Sequence, residues 1–135
     1  MSEENKMIVR QNYETVWNKG DLTSADQIYA DSYVAHLAEM PFAIDSAETF
    51  KQFVALFRAL TPGICFTVKD QLAEGDKVAT RWTARMPSAE NALVSGISIH
   101  RVREGKMTES WDNWDAMTAF HALGEDVFET LSLTL

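Results

Sequence analysis

Two turn signals, Glu74-Gly75-Asp76 and Glu104-Gly105, each interrupt runs in which alternate residues are apolar or β-branched. That combination constrains the fold more than any other feature. Around the first signal, Ile64 to Ala73 and Lys77 to Met86 read as the strands of a hairpin. In the second of these strands Val78, Thr80, Trp82, Ala84 and Met86 share one face, and Lys77, Ala79, Arg81, Thr83 and Arg85 share the other. Around the second signal, Ile97, Ile99 and Val102 precede the turn, and Met107 and Trp111 follow it. Glutamate is a poor first residue for a type I′ turn, which needs positive φ twice, whereas Gly105 suits the left-handed position of a three-residue loop with a G1 bulge. Pairing Val102 with Lys106 puts Ile97, Ile99, Met107 and Trp111 on one face with Asn113 and Asp115. His100, Thr108, Ser110 and Asp112 go to the other face, although a bulge near Trp111 would return His100 toward Asp115.

The N-terminal half is helical in pattern. Met7, Val9 or Arg10, Tyr13, Val16 and Trp17 recur at three- and four-residue steps over Glu3 to Trp17, and Gly20 ends that helix. Leu22 to Tyr29 reads as a second helix and Tyr33 to His36 as a brief strand. Asp45 with Glu48 has the form of a capping box opening a third helix that carries Phe50, Phe53, Val54, Phe57 and Leu60, before Thr61-Pro62-Gly63 stops it. The last residues, Gly124 to Leu135, fit strand, helix or a partner-contacting tail. Three helices followed by long meandering strands favour an α+β fold, with a curved antiparallel sheet wrapped around the helices and a cavity between them.

At 135 residues the chain suits a single domain, residues 1–135, with a core and one pocket. The net charge of −8 and the absence of Lys/Arg clusters argue against nucleic acid and anionic membranes as partners. No run approaches a membrane span, and the polar, acidic start is unlike a signal peptide, so a cytoplasmic location is expected. Cys65 is the only cysteine, which excludes an intrachain disulfide and a multi-cysteine zinc site; beside Ile64, Phe66 and Val68 it reads as a core residue.

Asp115 is the residue on which chemistry is expected. A carboxylate on an apolar, aromatic face has its charged form disfavoured, which raises its pKa toward the range useful for proton transfer. Asn113 lies within reach two residues away, and Glu109 does not. The competing explanation is structural: Asp115 precedes a short helix, Ala116 to Leu123, and is placed as its N-cap.

Four stretches together carry a family likeness: YETVWNKGD near the start, YVAH at 33–36, LTPGICFTVKDQLAEGDKVATRWT at 60–83 and RVREGKMTESWDNWD at 101–115. In order and spacing they resemble the SnoaL-like polyketide cyclases of the nuclear-transport-factor-2-like superfamily, which also holds ketosteroid isomerase. The resemblance covers roughly residues 5 to 124. It implies a conical α+β barrel that dimerises through the outer sheet face, a deep pocket for a small apolar ligand, and no metal or organic cofactor. It also implies that an aspartate at the end of the last long strand, matching Asp115, moves a proton α to a ketone. Trp17, Tyr33, Phe57, Trp82, Trp111 and Asn113 are the expected pocket lining, with Trp17 and Trp111 nearest the ligand, although aromatics at such periods are mostly core.

The sequence departs from the cyclases after Trp82, where TARMPSAENALVSG replaces a histidine-bearing loop of many relatives. His36 and His100 are then the candidates to assist Asp115, with His121 on the surface of the terminal helix. The leading expectation is a cofactor-independent cyclase or isomerase acting on a small apolar carbonyl substrate. Its rivals are a catalytically silent binding domain and an epoxide-opening hydrolase, the latter needing Arg81 or Arg101 between Asp112 and Asp115.

Overall fold

The computed structural model describes residues 2–38, 40 and 42–135. Helix α1 (Ser2–Gln11) runs directly into a π-helical turn, Asn12–Trp17, and is followed by α2 (Leu22–Ile28), strand β1 (Tyr29–Leu37) and α3 (Ala47–Leu60). Strands β2 (Cys65–Glu74), β3 (Lys77–Met86), β4 (Ala92–Arg103) and β5 (Lys106–Trp114) form the meander, and α4 (Ala116–Leu123) and α5 (Glu125–Thr134) end the chain. The sheet order is β1-β5-β4-β3-β2. The α+β class is as expected, with one difference: β2 to β5 are antiparallel, but β1 is longer than the Tyr33–His36 run and lies parallel to β5.

The π-helical turn decides what the first helix presents. In an α-helix, residues five apart point about 140° away from each other, whereas i→i+5 hydrogen bonding stacks them. Asn12 and Trp17 therefore share the buried face with Tyr13 and Val16, while Met7, expected there, is 62% exposed. The end of this turn is fixed from two sides. Arg58 of α3 donates to the carbonyls of Trp17 (2.5 Å) and Asn18 (3.0 Å), and the Asn18 side chain pairs with both backbone groups of Phe66 on β2. Trp17 then meets Phe50, Phe53 and Phe57 of α3 edge-on, with ring centroids 5.9–6.2 Å apart.

Several local expectations are corrected. Ser46, not Asp45, is the N-cap of α3, its Oγ accepting from the Thr49 N–H at 3.1 Å. Cys65 is exposed, because alternation along β2 turns Phe66 and Val68 inward instead. The last residues are helical, and Phe128 and Leu131 of α5 are buried.

The β4–β5 hairpin has a two-residue turn. Arg103 pairs with Lys106, and Glu104 (φ 52°) and Gly105 (φ 77°) are both left-handed, the type I′ signature. The bulge falls at Thr108, between the pairs Val102–Met107 and Arg101–Glu109. Ile97, Ile99, Trp111 and Asn113 share a face as expected, but it is the outer one. The strand next door explains why. Val78, Thr80 and Trp82 of β3, which face the core, sit opposite His100, Ser98 and Gly96, so those residues face inward too. Gly96 is required there: a β-carbon on it would lie 2.4 Å from Trp82 Cζ2 and 2.8 Å from the Asn113 carbonyl.

Candidate functional site

Between the helices and the sheet lies a cavity in which the centre of a water-sized sphere has about 70 Å³ of room. Its walls are aromatic: Trp17 from the π-helical turn, Phe50, Phe53 and Phe57 from α3, Phe66 from β2, Trp82 from β3 and Trp114 from β5. Its polar groups are Asn12 and Tyr13 from the π-helical turn, Tyr33 from β1, Ser98 and His100 from β4, and Asp112 from β5. The hairpin's inner face is thus the polar one at this level, and its apolar face looks outward.

Asp112 supplies the only carboxylate of this lining among the described residues. The Tyr33 hydroxyl donates to Ser110 Oγ at 2.8 Å, and Ser110 donates to Asp112 Oδ2 at 2.7 Å. This relay holds one carboxylate oxygen and leaves Oδ1 for a ligand. His100 is 2% exposed and its Nδ1 has no hydrogen-bond partner. Burial holds the imidazole below its usual pKa, against the opposing pull of the Asp112 charge, so it is neutral near pH 7. The buried Tyr13 hydroxyl also makes no hydrogen bond of good geometry; its polar neighbour is Ser98, whose Oγ accepts from Trp82 Nε1 at 3.0 Å. Burial and the Asp112 charge push the Tyr13 and Tyr33 phenols well above the usual range, which keeps them protonated donors. Asn12 accepts from the Tyr29 hydroxyl through Oδ1, leaving its amide N–H groups as further donors.

The expected site residues divide. Trp17, Tyr33, Phe57, Trp82 and His100 line the cavity. Asp115 does not: it is exposed at the start of α4, its Oδ1 accepting from the Thr118 N–H at 3.1 Å and its Oδ2 from the Thr118 hydroxyl at 2.5 Å. Those bonds, the hydroxyl's first, lower its pKa, the opposite of the expected rise. Its N-cap explanation is the one the geometry favours. His36 lies on the outer sheet face, stacked on Trp111 with ring centroids 5.6 Å apart and paired through Nε2 to Glu109 at 2.7 Å. Trp111 and exposed Asn113 accompany it there, away from the cavity, because they alternate with Asp112. Arg81 pairs with Asp70, and Arg101 with Glu109 and Asp76, so no arginine stands between two acids in the cavity.

Asn12, Tyr13 and Ser98 were missed, and Asp112 was expected at a site only in the epoxide-opening alternative. The signal for Asp112 was present in its shared face with Ser110 and His100, but a polar face reads as solvent-exposed when alternation is the only guide. Among the described residues no group of three or more His, Cys, Asp or Glu side chains is arranged to hold a metal ion.

An α+β cone enclosing an aromatic cavity with a few converging polar groups defines a protein built to hold a small molecule. The chain belongs to the SnoaL-like polyketide cyclase family, whose model matches residues 7–123. Among solved structures it is similar to IdmH, a proposed polyketide cyclase from Streptomyces antibioticus, at 28% identity and a TM-score of 0.77 over 89% of this chain and 98% of that one. It is also similar to a proposed polyketide cyclase from Bacillus cereus ATCC 10987, at 26% identity and a TM-score of 0.76 over 90% of this chain and 80% of that one. A proposed ketosteroid isomerase from Kribbella flavida DSM 17836 shares the fold, with 17% identity and a TM-score of 0.72 over 84% of this chain and 78% of that one. No curated protein matches the chain. No helix among the described residues is long and apolar enough to cross a membrane.

Proposed function

We propose that the protein is a cofactor-independent cyclase or isomerase in which Asp112, rather than Asp115, moves a proton α to the carbonyl of a small apolar substrate. The observation that carries this reading is the placement of one carboxylate, held by the Tyr33–Ser110 relay, in an aromatic cavity beside donors that have no partner of their own. Asp112 Oδ1 takes the proton from the α-carbon, and the electron pair moves into the enolate. The Tyr13 hydroxyl, which burial keeps protonated, and an Asn12 N–H are the donors to the developing enolate oxygen. Protonated Asp112 then returns the proton at the site where the new bond pattern requires it. Neutral His100 leaves the wall beside Asp112 uncharged.

The test is deuterium exchange into the α-position of cyclohexenone, followed by NMR with wild-type protein and Asp112→Asn. Loss of a positioned acid/base group lowers such a rate by about 10²–10⁴-fold. Equal exchange rates in the two proteins would remove Asp112 from the reading, and no exchange in either would favour a silent binding domain.

We infer in addition that two copies associate through the outer sheet face. Leu93, Ile97 and Ile99 are 48%, 52% and 39% exposed there beside Trp111, an apolar strip flanked by Arg85 and Arg81 of β3.

A further inference from the structure

We propose that the cavity takes a single-ring carbonyl compound bearing no anionic group, and that Trp82 sets the upper size of what it accepts. The size and charge limits rest on the cavity being the reactive site, and deepen that reading.

Size comes first. An engineered cavity of about 150 Å³ takes benzene, and the room here is about 70 Å³. That is under half as much, so even one ring requires the walls to move outward, and a multi-ring skeleton requires a wall to be removed. The wall that matters can be identified. Behind the cavity, under α4, lies a second void of about 20 Å³ lined by Ile64, Met86, Val94 and Ala119. Phe57, Phe66, Trp82 and Trp114 line both spaces and so form the partition between them. Two of the four are tied by hydrogen bonds, Trp114 to the Ala38 carbonyl at 2.8 Å and Trp82 to Ser98 Oγ at 3.0 Å, and Trp82 also packs on Phe66 with centroids 5.2 Å apart and lies over Gly96 where no β-carbon fits. The glycine and the serine together hold the indole across the cavity.

Charge gives the second limit. Among the described residues no lysine or arginine lines the cavity and Asp112 is the only acid there, and His100 is 2% exposed among aromatic rings. A carboxylate or phosphate group on the ligand would be stripped of water beside a like charge, with no cation to receive it.

The experiment measures binding by calorimetry, apart from turnover, with cyclohexenone, the two-ring ketone tetralone, a four-ring steroid ketone and benzoate as probes. The expected order in wild-type protein is saturable cyclohexenone binding, with tetralone, the steroid and benzoate each weaker by about tenfold or more, a free-energy difference of one factor of ten in Kd. Trp82→Ala reverses the order of cyclohexenone and tetralone. Phe57→Ala, which opens the same partition, does so as well and serves if the first variant does not fold. Asp112→Asn tightens benzoate binding by removing the like charge, but benzoate stays weaker than cyclohexenone because no cation receives its carboxylate; benzoate binding unchanged by Asp112→Asn would show that the like charge does not set the limit. Wild-type binding of tetralone or the steroid as tight as that of cyclohexenone overturns the size limit, and so does failure of cyclohexenone to bind at all. If the binding order holds and the α-protons of bound cyclohexenone do not exchange, the proton-transfer reading fails and the size limit stands.

Discussion

At the scale of single residues, three carboxylates or imidazoles separate by environment. Asp112 and Asp115 are three residues apart, yet one faces an aromatic cavity and the other caps a helix in solvent. Asp115→Ala therefore lowers the melting temperature through loss of the α4 cap, while α-proton exchange is unchanged; a fall in exchange at full folding would restore Asp115 to the chemistry. His100 makes a prediction of definite sign. Its folded-state pKa lies below the ordinary 6.5 because burial disfavours the cation. Between that lowered value and 6.5 the unfolded chain binds more protons than the folded one, so stability rises with pH through this window. The contribution is fully present above 6.5 and is lost as pH falls toward the folded-state value. His100→Gln should flatten that slope, read from urea midpoints on either side of pH 6.5; a slope as steep as that of the wild type would mean that another group sets it.

Two elements carry the site, the π-helical turn and the β3–β4 pair, and both break a simple periodicity. The turn places Asn12 and Trp17 on one face, which a regular helix would not do, and π-turns of this kind recur at functional sites. Steps of three and four residues found Tyr13, Val16 and Trp17, and missed Asn12 because the hydrogen-bond pattern that aligns it is not written in hydrophobicity. In β4, Gly96 looks like a weak point of the strand but is the position that receives Trp82. Gly96→Ala would push against a side chain held by Ser98 and against the Asn113 backbone, and over-packing of this kind costs about 1–3 kcal/mol. Chemical denaturation checks this, and a variant as stable as the wild type would show that the indole can shift. The inference that Trp82 is a fixed wall would then lose its support.

For the whole molecule, the outer sheet face is the part that the isolated chain leaves unexplained. Apolar Leu93, Ile97 and Ile99 stand exposed among charged neighbours, and a second copy is the occupant the family likeness suggests. Sedimentation should find a dimer that Ile97→Glu converts to a folded monomer; a monomeric wild type would end that proposal. Much of the architecture was legible in the sequence. Both turn signals, the strands, the three N-terminal helices and the α+β class follow from alternation, helical spacing and turn residues, all of which are local. The grouping of side chains within the β4–β5 hairpin was legible in part: Ile97, Ile99, Trp111 and Asn113 do share a face, and His100, Ser110 and Asp112 share the other, but the bulge at Thr108 turns Met107, expected with the first set, inward beside Val102. Which face meets the core was not, because that depends on how β4 registers against β3 across the 87–91 connection, a long-range pairing with no local signature. The usual guide, apolar inside and polar outside, also fails where the inside is a binding site. The chain by itself determined the strands of the meander, the helices up to Leu123 and the two opposed faces; tertiary structure decided the C-terminal helix and that the acid turned into the cavity is Asp112, because only the neighbouring strand fixes which face is buried.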